Sequence, residues 1–359
     1  MRILHVVRQY RPSTGGLEAY VEELTCRQAE CHEVTILTLN RVFGNDFRLP
    51  AFEKLGHTEI IRVPYFGGRR LFAPRVPIDL IAKFDVVHLH AADQLTDLVG
   101  HVCRRSRTPY VYTTHGLFFH TEFMRFIKAR YFRYITRRAL LGAHVIFAVS
   151  TNDASLVQMV GAKPTVLFNP IIPLEVEWRG GKDMLYLGRI SENKRLDRLL
   201  EFFRRVKAHR PDSVLHIVGS DTEGQWPKLY AAACPEDVIY HGFLSADSLE
   251  PVISSCGYIV SASQYEGYGL SIVEGMSAGL LPVMHDNAAF REIRERSGCG
   301  LLLDFSQPEQ SAVDFSEWAK KEDHSKRDTA IKFAREQSWP EVAALTLAYY
   351  NSAAAVVKA

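Results

Sequence analysis

The sequence predicts an α/β protein built as two doubly wound domains, and three observations predict it. Short apolar runs rich in β-branched residues alternate with segments of helical periodicity along the chain, the pattern of βαβ units around a parallel sheet. That series breaks once, at "NPIIP" (169–173), where two prolines in five residues leave little capacity for helix or central strand, and then restarts. The chain has 359 residues, 47% of them hydrophobic, which is material for two cores of ordinary size. The expected boundaries are 1–172 for the first domain, 173–338 for the second, and 339–359 for a closing helix that packs back on the first.

In order, "RILHVV" (2–7), "EVTILTL" (33–39), "DVVHLHA" (85–91), "PYVYTTH" (109–115) and "HVIFAVS" (144–150) read as the strands of the first domain. "DMLYLGRI" (183–190), "SVLHIVG" (213–219), "VIYHGF" (238–243), "YIVSAS" (258–263) and "LLPVMHD" (280–286) read as those of the second. Runs of this length, apolar on both faces, suit strands covered by helices on each side of a sheet. Open sheets of this kind bind ligands beyond the carboxyl ends of their strands, so the site is expected in a cleft between the two domains.

Composition narrows the class. No stretch of about 18 apolar residues and no leader pattern is found, so a cytoplasmic chain that does not span a membrane is expected. The cysteines at 26, 31, 103, 234, 256 and 299 form no C-x-x-C pair and have no zinc spacing, which reads as buried thiols in a reducing compartment. Net charge is +2, yet residues 1–172 carry 22 Lys and Arg against 14 Asp and Glu, and the remainder 21 against 27. A basic first half suits an anionic partner such as phosphate, lipid headgroups or nucleic acid, and charge alone does not choose among them. The segment 122–141 is its densest part. At helical pitch it sets Phe123, Ile127, Tyr131, Tyr134 and Ile135 on one arc and Arg125, Arg130, Arg133 and Arg137 on another, either a solvated face or a surface that docks anionic membrane.

The chemistry collects at predicted strand ends. Gly15 and Gly16 precede an amphipathic helix beginning near Leu17, where glycine admits close approach and a helix start favours anions; an ordinary tight turn reads equally well. Neither G-x-G-x-x-G nor a P-loop occurs, which removes the main support for an oxidoreductase. Arg189 and Lys194, in "YLGRISENKRLDRLLEFF", follow a strand and precede a helix, where cations can neutralise a departing diphosphate, although a solvated basic turn is the commoner fate of such residues. In "SQYEGYGLSIVEGMSAG", Glu266 enters a glycine turn formed by Gly267 and Gly269, and Glu274 lies within the first turns of a helix starting near Leu270. A carboxylate there accepts two hydrogen bonds from a ribose diol. His115 ends a strand facing the expected cleft, and His120 is a weaker candidate for the acceptor site. His5, His88, His90, His144, His216 and His241 read as structural. No D-x-D pair is present, so no metal site is assigned.

"RPSTGGLEAYVEEL", "HLHAAD", "THG", "YLGRISENKRLDRLL", "HIVG", "ASQYEGYGLSIVEGMSAGLLPV" and "SWPEVAALTLAYY" together resemble the family-4 retaining glycosyltransferases of the GT-B fold, over nearly the whole chain. The resemblance implies two Rossmann-like domains and a nucleotide-sugar donor. It also implies roles: Arg189 and Lys194 at the diphosphate, Gly269 and Leu270 at the distal phosphate, Glu274 at the ribose, Glu266 and His115 near the transferred sugar, and Gly16 and Gly219 against the nucleotide. "HGLFFHTEF" with "VEGMSAGLLPV" is similar to bacterial exopolysaccharide α-1,3-mannosyltransferases. That likeness implies GDP-mannose as donor, no cofactor or metal, and a glycan or polyprenyl-diphosphate-linked acceptor in surface-glycan synthesis, with a peripheral place at the inner face of the cell membrane. A UDP-sugar donor, a nucleotide-sugar epimerase and a non-catalytic binding module remain the alternatives.

Overall fold

The computed structural model of the chain describes residues 1–13, 15–69, 71–116, 129–176, 178–221, 224–233, 237–321 and 325–358. Contacts divide it into two compact units, one of residues 1–169 with 339–359 and one of 170–338.

The first unit is laid on β1 (Arg2–Val6), β2 (Glu33–Leu39), β3 (Phe52–Leu55), β4 (Thr58–Val63), β5 (Tyr65–Gly68), β6 (Leu71–Pro74), β7 (Val86–His90), β8 (Tyr110–Thr113), β9 (Val145–Ala148) and β10 (Pro164–Val166). Eight of these form a sheet in the order β10-β9-β8-β7-β1-β2-β4-β3, parallel except for the β3–β4 pair, and β5 with β6 forms a separate antiparallel hairpin. β7, β8 and β9 are buried along their whole length, as strands covered on both faces must be. The edge pieces escape sequence reading because they lack that signature: all four residues of β3 are exposed, and β5 carries two glycines.

The closing helix Trp339–Lys358 belongs to this unit. Trp339, Val342, Ala343, Thr346, Tyr350 and Ala353 are buried, a stripe at helical spacing. Tyr350 packs with Ile3, Val86 and Val111 of the central strands, and Trp339 with Tyr20 and Leu24.

The second unit holds β11 (Asp183–Leu187), β12 (Leu215–Val218), β13 (Val238–Gly242), β14 (Cys256–Ser261), β15 (Leu281–His285) and β16 (Leu301–Leu303). They form one parallel sheet ordered β13-β12-β11-β14-β15-β16. Counted from its own first strand this is the order of a dinucleotide-binding Rossmann sheet, which reverses direction between β11 and β14 and opens a crevice beyond their carboxyl ends. Backbones crowd on the β12 and β13 side of β11. The Gly188 N–H donates to the Val218 carbonyl (3.0 Å) and the Gly219 N–H to the Gly242 carbonyl (2.8 Å). Gly219 has φ of +148°, and a Cβ on it would stand 1.9 Å from the Gly188 carbonyl oxygen. Only glycine fits.

Two expectations change. Cys26 and Cys31 are exposed, because the Gly16–Gln28 helix that carries Cys26 buries Tyr20, Val21 and Leu24 instead, and Cys31 sits in the turn after it. His144, exposed one position ahead of β9, has Nε2 3.2 Å from the Ser352 hydroxyl, a structural contact as read. In the basic segment, residues 122–128 lie outside the described residues, as does His120. The remainder contains a π-turn at Phe132–Thr136, whose extra residue rotates the face: Phe132, Thr136, Ala139 and Leu140 are buried, while Tyr134 (57% exposed) and Ile135 (46%) stand out among exposed Arg130, Arg133 and Arg137. The apolar arc and the arginine arc are therefore not opposed.

The Gly219 contact gives a direct test. Gly219→Ala is expected to lose at least about 2 kcal/mol in urea unfolding followed by tryptophan fluorescence. Gly16→Ala is the control, since a Cβ at Gly16 meets nothing within 4 Å at the helix start; it should stay within about 0.5 kcal/mol of the parent.

Candidate active site

At the reversal point of the second unit, two loops clamp each other. The loop after β11 makes a 3₁₀ turn, Glu192–Lys194, and the loop after β14 runs past Glu266. The Asn193 side chain donates to the Tyr265 carbonyl (2.7 Å), and the Gln264 N–H donates back to the Asn193 carbonyl (3.0 Å). This clamp brings Lys194 Nζ within 2.6 Å of Glu266 Oε1, with both side chains largely shielded. Arg189 lies beside them with its carbonyl held by the Tyr186 hydroxyl (2.8 Å); its guanidinium is exposed and makes no ion pair among the described residues. Among the described residues the crevice thus offers one free cation, Arg189, and a second, Lys194, already matched by a carboxylate.

The turn that aims Glu266 differs from expectation. Gly269 has φ of +100° and backs onto Phe290, where a Cβ would meet the ring at 2.7 Å. Gly267 adopts no such conformation and borders open space, so it is not a strained position. The reason lies next to it. Tyr268 is buried, its hydroxyl bonded to Gln337 and to Arg296, and this anchor fixes the loop. Asn287 supports it further, donating to the Ser263 carbonyl (2.9 Å) while capping the Ala288–Ser297 helix.

From Gly269 the Leu270–Ser277 helix begins. The amides of Leu270 and Ser271 have no acceptor among the described residues, which is the anion-seeking end of a helix. Glu274 sits one turn along, half-buried, with no hydrogen bond to its carboxylate among the described residues. Burial alone pushes its pKa up from 4.5 to about 7. A carboxylate kept dry without a partner is a group arranged for a ligand that brings donors.

In the first unit the reversal lies between β1 and β7. Gly15 caps and Gly16 opens the Gly16–Gln28 helix that follows β1. His115 follows β8 with φ of +50°, an uncommon conformation for a side chain with a Cβ, and Gly116 continues it at +79°. Asp153 holds this turn, accepting from the Thr114 hydroxyl (2.5 Å) and the Gly116 N–H (2.9 Å). The His115 ring stands edge-on to Tyr20 at 4.5 Å between centroids. Desolvation lowers its pKa to about 3, so the ring is neutral at pH 7.

Sequence reading passed over what lies behind it. His5, His88 and His90 are fully buried and adjacent, and His90 Nδ1 is 3.0 Å from His115 Nε2. The signal was present: His88 and His90 share one face of a strand, and β1 sets His5 opposite His88. Ligand atoms of these three lie within 4.8 Å of one another. All six ring nitrogens already have hydrogen-bond partners, so the cluster fits a proton-ordered network better than a metal site.

Two Rossmann-like units, the second with cations, a free helix start and a shielded carboxylate at its crevice, fit a glycosyltransferase of the GT-B class. Residues 175–337 match the family model described as glycosyl transferases group 1, and residues 14–175 the one described as glycosyltransferase family 4. The chain belongs to this glycosyltransferase family. It is 30% identical to the GDP-mannose:cellobiosyl-diphosphopolyprenol alpha-mannosyltransferase of Xanthomonas oryzae, over 98% of this chain and 97% of that one. It is also 30% identical to the enzyme of the same name from Komagataeibacter xylinus, over 84% and 80%. Among solved structures, Anabaena HepE in complex with UDP superposes with a TM-score of 0.72 at 14% identity, covering 98% of this chain and 100% of that one. A glycosyltransferase from Rickettsia africae gives 0.71 at 17%, covering 98% of both.

The raised pKa of Glu274 has a sign that can be checked. A carboxyl whose folded-state pKa stands above its ordinary 4.5 favours the folded state below that value and loses the contribution as pH rises through about 7. Glu274→Gln should therefore gain on the parent in urea unfolding by about 2 kcal/mol between pH 5.5 and pH 8. A gap independent of pH would mean the carboxyl is not dry.

Proposed function

We propose that the protein transfers a mannosyl residue from GDP-mannose to a lipid-diphosphate-linked glycan acceptor, retaining the anomeric configuration and needing no metal. The observation that carries the reading is the donor crevice of the second unit, where Lys194, Arg189, a free helix start and Glu274 stand in the order that a diphosphate and a ribose would require. The names of relatives aligned over nearly the full chain support the sugar, the base and the acceptor class.

In this reading Arg189 and Lys194 hold the diphosphate and the charge it gains on leaving, while Gly269 and Leu270 serve the distal phosphate. Glu274 receives the ribose diol, Gly16 and Gly219 give the nucleotide close passage, and His115 attends the transferred sugar. No carboxylate is assigned as a rear-face nucleophile, so a front-face displacement is favoured. The acceptor oxygen bonds to the anomeric carbon as the bond to the diphosphate oxygen breaks, and the acceptor proton passes to that oxygen. Glu266, tied to Lys194, sets how much positive charge the leaving oxygen meets.

Nucleoside diphosphate binding by calorimetry, set beside transfer to a synthetic diphospholipid-linked acceptor, tests this. Arg189→Met or Lys194→Met should cut kcat/KM about ten- to a hundredfold, the loss of one charge-assisted contact each, and EDTA should change nothing. Glu266→Gln frees Lys194 and should keep or raise GDP affinity while turnover falls at least about tenfold. Preference for a UDP-sugar, or donor turnover without acceptor, would overturn the assignment, and a trapped glycosyl-enzyme adduct would end the front-face mechanism.

The acceptor class calls for a membrane, and no helix among the described residues is long and apolar enough to cross one. The exposed Arg130, Arg133 and Arg137, with Tyr134 and Ile135 between them, support peripheral docking on anionic headgroups, at about 1 kcal/mol per basic residue. Vesicles containing anionic lipid should sediment the parent in low salt and lose most of the triple Arg→Gln variant. Equal sedimentation would reduce this surface to a solvated face.

A further inference from the structure

The buried histidines continue into a single directed chain. His5 Nε2 lies 2.8 Å from Gln28 Oε1, His5 Nδ1 lies 2.9 Å from His90 Nε2, and His90 Nδ1 lies 3.0 Å from His115 Nε2. A neutral imidazole has one N–H and one lone pair, so every link in such a chain must point the same way. What sets the direction is the far end. The Thr346 hydroxyl spends its proton on the Ala343 carbonyl (2.9 Å), which leaves its oxygen to accept from the Gln28 amide nitrogen (3.4 Å). The same nitrogen also reaches the Tyr350 hydroxyl (3.4 Å). Gln28 therefore turns its carbonyl oxygen toward His5.

From that point the protons are determined. His5 donates from Nε2 to Gln28 and accepts at Nδ1 from His90, and His90 accepts at Nδ1 from the Nε2–H of His115. The branch through His88 agrees, since Tyr350 donates to His88 Nδ1 (2.5 Å) and His88 donates from Nε2 to Thr113 (2.6 Å). We propose that Gln28, His5 and His90 are positioning residues that lock His115 in its Nε2–H tautomer, leaving Nδ1 as a lone-pair acceptor for a hydroxyl of the transferred sugar. The part concerning the sugar rests on the donor reading above; the tautomer does not.

Three further features support it. Burial holds His5 at about 4 and His88 and His90 well below the usual histidine value, so each ring carries one proton at pH 7 and the count closes. His115 Nδ1 has no partner among the described residues, and the ring is half-buried rather than sealed. The turn at His115 is fixed independently by Asp153, so the relay has only the proton to decide.

Long-range proton–nitrogen correlation spectra of protein labelled with ¹⁵N in its histidine rings, without donor, read the tautomers directly, with His115 assigned by its loss in His115→Gln. The expected spectrum shows His115 with a bare Nδ1 and a protonated Nε2. Gln28→Met removes the terminal acceptor and should mix the two tautomers at His115. It should also lower kcat about three- to tenfold, the worth of one net hydrogen bond, with GDP affinity within about twofold. Gln28→Glu should do the reverse: its carboxylate favours a doubly protonated His5, whose Nδ1–H turns every link around and leaves His115 protonated on Nδ1. A resting His115 protonated on Nδ1 overturns the proposal whether or not the variants fold, and so does a tautomer that neither Gln28 variant moves. A shifted tautomer with unchanged kcat would uphold the relay and take His115 away from the sugar.

Discussion

The approach of Gly219 to the Gly188 carbonyl is the constraint on which the second unit's chemistry depends. A parallel sheet that reverses its winding sends two neighbouring loops apart, and the gap between them is useful only if backbone, not side chains, lines its floor. Glycines at the ends of β11, β12 and β13 keep that floor thin. Arg189, Lys194 and Glu266 are carried by the loops above it, where Asn193 and Tyr268 hold the two carriers in register.

The electrostatics of the crevice follow from how little of it is balanced. Lys194 and Glu266 cancel one another at 2.6 Å, Arg189 is open, and Glu274 is kept where ionisation is unfavourable. Among the described residues the crevice thus presents one unpaired positive charge, a helix start, and a second positive charge already matched by a carboxylate. Such a pair resists solvent yet responds to a ligand that competes for the same ammonium, which makes it more informative about mechanism than its contribution to stability would suggest.

The alternation of apolar runs and helical segments made the doubly wound sheets legible, because central parallel strands leave the same mark wherever they occur, and it placed Arg189, Lys194 and Glu266 beyond strand ends and Glu274 on the helix that follows. What it missed was decided by tertiary contact. β3 is an exposed edge with no apolar run to announce it, and Gly267 looked like a turn glycine although Tyr268 does the work of fixing that loop. The π-turn at Phe132–Thr136 shifts a helical face by a residue that no periodicity count contains. His5, His88 and His90 were read one at a time as structural, whereas their meaning comes from strand register, which sets His5 against His88 across two segments more than eighty residues apart in the chain.

The assignment of Trp339–Lys358 to the first unit makes that unit discontinuous: the chain leaves it after Asn169 and returns at Trp339. The departing and returning segments run together, Ile171 pairing with Ser338 as an isolated bridge. During synthesis the second unit is complete before the first can be, because the ribosome must release the closing helix before Tyr350 fills the space beside Ile3 and Val86. The inserted unit is free to fold early; the host waits with an open core. A chain that has emerged only as far as residue 338 thus has the second unit whole and a host still missing Thr346 and Tyr350, the two residues that orient Gln28.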